Sequence, residues 1–170
     1  MARAAGNAAT AAFDSRVFPK PFKQSRIPLD DRLLDRVVPA ILAGTTEVAP
    51  EGANIDKFVV INSELRRRNA VTIASFAEQT APEMLFRGVV FHPFTNTAVQ
   101  SAFADRRTYL YNGSEVDRQV HLGFDLASVA QAPVPAANRG VVLFARELGI
   151  YGNCVIVDHG FGVQSLYAHL

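Results

Sequence analysis

The sequence predicts an α+β protein in which an N-terminal helical arm precedes a mainly antiparallel β domain. Two observations support this fold class. Residues 29–85 carry apolar side chains at helical spacing, whereas residues 86–170 consist of short apolar or alternating runs separated by turn residues. Residues 1–28 are rich in alanine and then contain three prolines, which favour extended backbone. We therefore expect an extended or disordered arm, a helical region and a β-rich domain, in that order.

Two helices are expected in the helical region. The first is expected within "PLDDRLLDRVVPAIL", residues 28–42, with its apolar positions beginning at Leu29. It has two aspartates near its positive N-terminal end and should end or kink at Pro39. The second covers residues 55–80, where apolar side chains recur every three or four positions. The Gly-, Thr- and Pro-containing stretch between them predicts a linker.

Two hairpins can be placed in the β domain. The pair Asn112 and Gly113, between two strand-like runs, is typical of a type I′ turn. A three-residue loop over 160–162 would join two further strands in antiparallel register. That register sets His169 opposite Asn153 and, at period two, on the same face as a tyrosine.

Composition excludes several classes of protein. Of 170 residues, 49% are hydrophobic, which is enough for a real core. The 17 basic and 16 acidic residues give a formal net charge of +1, so no nucleic-acid binding is expected. The single cysteine, Cys154, excludes an internal disulfide and is expected to be a packed core thiol. No apolar run is long enough to predict a membrane span.

The segment "HLGFD" places His121 four positions before Asp125 with a glycine between them. In a straight strand these residues would be roughly 13 Å apart. Two ligands of one metal ion have donor atoms only about 3–4 Å apart. Gly123 allows a bend that would bring the two side chains together. The pattern is compatible with a metal site, and also with a turn in which Asp125 caps backbone amides.

The other three histidines have different expected roles. His159 precedes a glycine and is expected to be a turn or supporting residue, and His92, before a proline, a loop residue. Because His159 and His169 would be roughly 20 Å apart along the last hairpin, they should not share a metal ion. His169 is expected to be exposed on a strand face, where it could accept or donate a proton.

Three segments together resemble a known family. "HLGFDLAS", "APVPAANRGVV" and "GIYGNCVIVDHGFGVQSLYAHL", at this spacing, are similar to the LytM-type zinc metallopeptidases, peptidase family M23. The resemblance covers about residues 100–170 and implies a β domain of the duplicated-hybrid-motif type. It also implies one zinc ion and the hydrolysis of peptide bonds in bacterial peptidoglycan. His121 and Asp125 would be zinc ligands, and His169 a catalytic histidine beside the metal-bound water.

In the family a downstream H-x-H motif supplies a second catalytic histidine and the third zinc ligand. Here the chain stops at Leu170. We therefore expect a C-terminally truncated fragment with an incomplete β domain and little activity. A peptidoglycan substrate implies a periplasmic or extracellular location. An export signal is then expected, although the first residues lack the apolar core of a signal peptide.

Two alternative functions stay open. One is a catalytically degenerate relative that binds cell wall or activates an amidase; the retention of both ligand residues and of His169 argues against it. The other is a swinging-arm carrier domain, suggested by "PVPAANRGVV" and the paired hairpins. Such a carrier needs a lysine at a hairpin tip, and no lysine lies beyond Lys57.

Overall fold

A computed structural model describes residues 2–4, 7–9, 16, 18–88 and 90–170. Within these ranges the protein is a mixed α+β structure, as the sequence predicts. Part of the predicted arm lies outside them. In the rest of the arm, β1 (Ala2–Ala4) pairs with β2 (Asn7–Ala9), and β3 (Gln24–Leu29) precedes the first helix.

Helix α1 covers Asp31–Ala43 and is capped by Asp30, whose carboxylate accepts a hydrogen bond of 2.7 Å from the Leu33 amide. The expectation that Pro39 could end the helix is wrong, because α1 continues past it. Pro39 lies on the exposed face, where its missing N–H costs one hydrogen bond, while Leu34 and Val38 stay buried on the opposite face.

The predicted second helix is confirmed as a continuous helical segment. It consists of α2 (Asn54–Val60), a π-helical segment (Ile61–Leu65), α3 (Arg66–Ser75) and a short 3-10 turn (Phe76–Gln79). None of the helices formed by the described residues is both long and apolar enough to cross a membrane.

The β strands form three further sheets. In the first, β3 pairs in parallel with β5, which pairs antiparallel with β6; β4 pairs with β7; and β8, β9 and β10 form the third, antiparallel sheet. The strand bounds are β4 (Ala98–Ser101), β5 (Asp105–Tyr111), β6 (Ser114–His121), β7 (Asp125–Ala127), β8 (Val141–Glu147), β9 (Asn153–Asp158) and β10 (Gln164–Tyr167). The apolar run at 86–94 forms no strand among its described residues.

Both predicted hairpins are present. Asn112 and Gly113 have φ values of 49° and 78°, as a type I′ turn requires. The β9–β10 register also matches the prediction, with Tyr167 opposite Val155. The predicted exposure of His169 is confirmed, but its predicted strand position is wrong, because β10 ends at Tyr167. The backbone of His169 has a φ of 59° and its amide donates to the Tyr151 carbonyl, so Leu170 rather than His169 bonds to Asn153.

The long helical segment packs against both parts of the molecule. Its first half joins α1, β3 and β5 in one core, and Phe76 at its end enters a second core with β8 and β9. The first core contains Leu29, Leu34, Val38, Phe58, Ile61, Leu65 and Tyr109. The second contains Phe76, Phe144, Leu148, Cys154 and Ile156. Burial raises the pKa of the Cys154 thiol, so the expected core thiol is confirmed.

Candidate metal-binding site

The segment "HLGFD" connects two sheets. Strand β6 ends at His121, which lies opposite Asp105 at the start of β5. Strand β7 begins at Asp125, which lies opposite Ser101 at the end of β4. The β4–β5 connection and the β6–β7 connection therefore pass between the two sheets at the same place. The resulting bend brings Nε2 of His121 to 3.1 Å from Oδ1 of Asp125.

The loop between β4 and β5 fixes the orientation of the His121 ring. Nδ1 lies 3.0 Å from the carbonyl oxygen of Ala102 and 3.2 Å from Oγ of Ser101. A carbonyl oxygen can only accept, so Nδ1 carries the hydrogen and donates it. The backbone is held as well, since the Ala104 amide donates to the carbonyl of His121 over 2.7 Å. Nε2 is thus the ring atom directed at Asp125.

This geometry has a chemical consequence for His121 and Asp125. In a neutral ring with hydrogen on Nδ1, Nε2 is a lone-pair donor facing a carboxylate oxygen. Two such atoms 3.1 Å apart can share a proton or bind a metal ion between them. A tautomer fixed by a backbone carbonyl is also the usual arrangement of a metal-binding histidine.

The pair fits two positions of a zinc site. Tetrahedral zinc with bonds near 2.0–2.2 Å places its donor atoms about 3–4 Å apart. Side-chain exposures of 15% for His121 and 47% for Asp125 leave the pair accessible from solvent. Among the residues that the structure describes, however, no three His, Cys, Asp or Glu side chains cluster closely enough to hold a metal ion. The chain therefore offers two donors at this place.

Arg107 contacts Asp125 directly and reaches His121 through Ser101. Its Nη2 donates to Oγ of Ser101 at 2.5 Å and to Oδ2 of Asp125 at 3.3 Å. Because Ser101 in turn contacts the His121 ring, one guanidinium group orients both candidate ligands. The Asp125 contact uses Oδ2 and leaves Oδ1 directed at His121.

Asp105 provides the countercharge for Arg107 from the protein interior. Its Oδ2 lies 3.5 Å from Nε of Arg107 and accepts a hydrogen bond of 2.9 Å from Ser25 on β3. The side chain is 3% exposed, and within the described ranges Oδ1 of Asp105 has no hydrogen-bond partner. A buried carboxylate with an adjacent guanidinium is a strong reason for Arg107 to keep its position.

Sequence reasoning missed Arg107, Ser101 and Asp105. A signal was present in "ADRRTYLY": in a strand, alternate residues share a face, so Asp105 and Arg107 share the face of Tyr109. Tyr109 is buried, and opposite charges on a buried face indicate an internal ion pair.

His169 lies apart from this pair in its contacts. Its backbone has a φ of 59°, its amide donates to the Tyr151 carbonyl, and its side chain is exposed. No hydrogen bond or ion pair within residues 90–170 joins its ring to His121 or Asp125. The structure thus brings together two of the three predicted site residues.

His159 is a buried structural residue at the end of β9. Its side chain is fully buried, and Nδ1 lies 2.8 Å from the Arg139 carbonyl while Nε2 lies 2.8 Å from Oγ of Ser165. The hydroxyl of Ser165 lies 3.0 Å from that of Tyr167, which accepts from the Ala137 amide at 2.7 Å. Both ring nitrogens are therefore used within the protein.

The neighbouring Asp158 closes the same turn. Burial alone would raise its pKa, but hydrogen bonds from the Ala81 amide, the Thr80 hydroxyl and the Gly160 amide hold the pKa below its usual value. Asp158 is thus an ionised structural carboxylate with its oxygens already satisfied.

Comparison with known proteins gives a family match and several similar curated proteins. Residues 119–170 match Peptidase family M23. The chain is also 35% identical over 83 residues to the DD-carboxypeptidase/endopeptidase Mpg of Neisseria meningitidis serogroup B (strain ATCC 13091 / M2091). The same identity and length hold for the protein of that name from Neisseria gonorrhoeae (strain ATCC 700825 / FA 1090).

Each of these alignments covers 49% of this chain and 18% of the relative. The chain therefore spans a small part of the length of the curated relatives it matches. The family match includes both His121 and Asp125, as well as His169. The resemblance read from the sequence is thus confirmed over residues 119–170, which match peptidase family M23.

Proposed function

We propose that this chain carries the metal-binding part of a zinc metallopeptidase that hydrolyses peptide bonds of bacterial peptidoglycan. The observation that carries the proposal is the 3.1 Å approach of His121 Nε2 to Asp125 Oδ1, with Nδ1 fixed by the Ala102 carbonyl. The homology to family M23 and to a DD-carboxypeptidase/endopeptidase supports the substrate class.

In this proposal His121 and Asp125 hold one Zn²⁺ ion. When bound, zinc would polarise the scissile carbonyl and lower the pKa of the attacking water. Arg107 keeps the Asp125 carboxylate turned toward His121 and, through Ser101, holds the imidazole in the tautomer that leaves Nε2 free. These residues prepare the two donors before any metal binds.

His169 is proposed as the catalytic histidine that accepts or donates a proton during hydrolysis. Its ring is exposed, which suits an exchange of protons with water or substrate. The role requires the imidazole to lie beside the metal pair in the zinc-bound protein. The proposal also includes a β domain of the duplicated-hybrid-motif type and a location in the periplasm or the extracellular cell envelope, where the substrate lies.

A second candidate function has one observation in its favour. A catalytic zinc typically has three protein ligands, and the described residues bring together two. A module that binds cell wall or activates an amidase would need no complete metal site. It would bind peptidoglycan with or without zinc and would not cleave it.

Zinc binding is the direct test of the proposed site. We expect the chain to bind one zinc ion weakly, measured by competition with a chromophoric chelator. Substituting His121→Ala removes one of two donors, so the affinity should fall by more than the roughly 10- to 100-fold loss typical of an outer partner. His92→Ala is the matched control, because His92 is exposed in a loop outside the pair. Equal affinity in both variants would exclude His121 as a ligand.

Incubation with purified peptidoglycan distinguishes the proposed peptidase from the proposed binding module. In excess zinc, the proposed peptidase releases new amino termini, and the release stops with a chelator and in Asp125→Ala. Cleavage that persists in the chelator would contradict the zinc mechanism. Chelator-independent binding of peptidoglycan without cleavage, in both the native chain and Asp125→Ala, would favour the binding module.

A further inference from the structure

A surface cavity of about 260 Å³ combines residues from three distant places in the chain: the segment before β3, the β4–β5 loop and the β6–β7 loop. Besides one proline and one alanine, its lining consists of two lysines and three phenylalanines: Lys20, Lys23, Phe22, Phe103 and Phe124. Within the described part of the chain, no lining side chain has a carboxylate, amide or hydroxyl group. The surface therefore offers a ligand only apolar contact and positive charge.

The apolar part of this surface is open to solvent but fixed in place. Phe103 is 47% exposed and Phe124 63% exposed, while the rings of Phe22 and Phe103 meet edge to face with centroids 6.4 Å apart. The segment that carries Phe22 is attached to β5, because the Arg106 amide donates to the Lys23 carbonyl over 2.9 Å. Adjacent exposed aromatic rings of this kind are typical of an interaction surface.

The charged part of the surface has no countercharge. Lys20 and Lys23 are exposed, and neither makes an ion pair with a residue in the described ranges. The carboxylate of Asp125, which follows Phe124 in the sequence, is already paired with Arg107. The free positive charge next to the rings favours an anionic partner.

We propose that this surface docks the protein on a membrane that contains anionic lipid. The phenylalanine rings would enter the boundary between headgroups and acyl chains, and the lysines would contact the headgroup phosphates. A sugar or a peptide carries many neutral hydrogen-bonding groups, for which these side chains provide no neutral partner. A lipid surface presents hydrocarbon and negative charge, which match the two kinds of side chain present. The inference goes beyond the proposed function and needs no metal ion.

Vesicle binding tests the proposal directly. The whole chain, in a chelator, is sedimented with vesicles of phosphatidylcholine alone or of phosphatidylcholine mixed with phosphatidylglycerol. We expect binding to the mixed vesicles that weakens as salt is added, and much weaker binding to phosphatidylcholine alone. Absence of binding to the mixed vesicles, or equal binding to both kinds, would overturn the proposal.

A pair of equally exposed phenylalanines tests the apolar contact. Phe124→Ser should weaken binding to the mixed vesicles roughly tenfold, since partial burial of a phenylalanine ring is lost. Phe161 is 64% exposed but lies in the β9–β10 turn, so Phe161→Ser is the matched control and should bind as the native chain does. Equal binding by Phe124→Ser and the native chain would contradict insertion of the ring.

Two double variants test the charge. Lys20→Ala/Lys23→Ala should weaken binding to the mixed vesicles roughly twentyfold at low salt, at about one ion-lipid contact per lysine. Lys57→Ala/Arg67→Ala removes the same net charge from the long helical segment and should leave binding unchanged. An equal loss in both double variants would mean that net charge, and not this surface, attracts the protein.

Fluorescence shows which part of the protein enters the lipid, because the chain contains no tryptophan. Phe124→Trp should shift its emission to the blue on the mixed vesicles and be quenched by brominated lipid, whereas Phe161→Trp should do neither. Sedimentation equilibrium without lipid tests the other occupant, a second copy of the chain: a dimer that Phe124→Ser dissociates would overturn the proposal. Since every measurement is made in a chelator, a failure to bind zinc would contradict only the proposed function.

Discussion

Two histidines of this protein, His121 and His159, are held in opposite ways. Each has Nδ1 within 3.0 Å of a backbone carbonyl, so the same tautomer is favoured in both. They differ at Nε2. In His159 that atom meets the Ser165 hydroxyl, which can donate to it; in His121 it faces the Asp125 carboxylate, which cannot when ionised. Both nitrogens of the first ring have partners within the protein, whereas Nε2 of the second can share a proton or a metal ion with Asp125.

The two histidines also differ in burial. The His159 side chain is fully buried and contacts Phe91 edge to face, with centroids 4.8 Å apart. The His121–Asp125 pair is accessible to solvent. The partner of Nε2 therefore distinguishes a candidate metal ligand from a structural histidine. Proximity to polar groups does not, because both rings contact them.

The largest difference between the two histidines should appear in stability. His159→Ala removes a fully buried ring and leaves the Arg139 carbonyl and the Ser165 hydroxyl without their partner. We expect the free energy of unfolding to fall by about 3 kcal/mol, measured by urea denaturation. His121→Ala, near the surface, should cost about 1 kcal/mol or less. Equal losses in the two variants would remove the basis of the comparison.

A smaller effect is expected at Arg107, which contacts Asp125 directly and His121 through Ser101 without being a candidate ligand. Arg107→Gln loses the hydrogen bond to Asp125 and the one to Ser101, so the zinc affinity should fall roughly tenfold in a chelator competition. The exposed neighbour Arg106 gives the matched control, Arg106→Gln. A tighter zinc complex in Arg107→Gln would mean that the guanidinium competes with the metal for Asp125.

The Arg107 substitution needs a second variant, because it leaves the buried carboxylate of Asp105 unpaired. Asp105→Asn/Arg107→Gln removes both charges and should recover part of the lost stability. If zinc affinity recovers with it, the effect of Arg107 is structural. If affinity stays low while stability recovers, Arg107 acts by positioning His121 and Asp125.

Local sequence patterns correctly predicted the elements that depend on local backbone preferences and side-chain spacing. The Asn112–Gly113 turn and the long second helix follow from backbone preference and apolar spacing alone. Pro39 shows where such rules fail: packing of Leu34 and Val38 outweighs one missing hydrogen bond. The strand position predicted for His169 is wrong because the backbone turns there, with a φ of 59°, and alternation in the sequence does not show where a strand ends.

For the site, the sequence predicted the approach of His121 to Asp125 but not its surroundings. The contacts of Arg107 depend on which strand pairs with which, and β3, which supplies Ser25, is 80 residues distant from Asp105 in the chain. A surface cavity likewise combines residues 20–23 with residues 102, 103 and 124. Spacing within one segment cannot predict contacts between segments so far apart.

The smallest effect concerns Gly123, the residue to which the sequence assigned the bend. Gly123 does not have a positive φ. A Cβ built on it would have only Nε2 of His121 within 4 Å, at 3.9 Å. The bend is therefore accessible to other residues, and the strand changes at Ser101 and Asp125 produce it. Gly123→Ala should change the free energy of unfolding by less than about 1 kcal/mol, and a slight gain is expected because alanine restricts the unfolded chain.

Gly113→Ala is the matched comparison for Gly123→Ala. A Cβ at Gly113 would meet no atom within 4 Å, but the backbone has a φ of 78°. The cost is then purely conformational, about 1–2 kcal/mol by thermal or urea denaturation. If Gly123→Ala costs as much as Gly113→Ala, the glycine itself makes the bend, as the sequence suggested. If it costs less and zinc affinity is unchanged, the pairing of β6 and β7 with their partner strands brings His121 to Asp125.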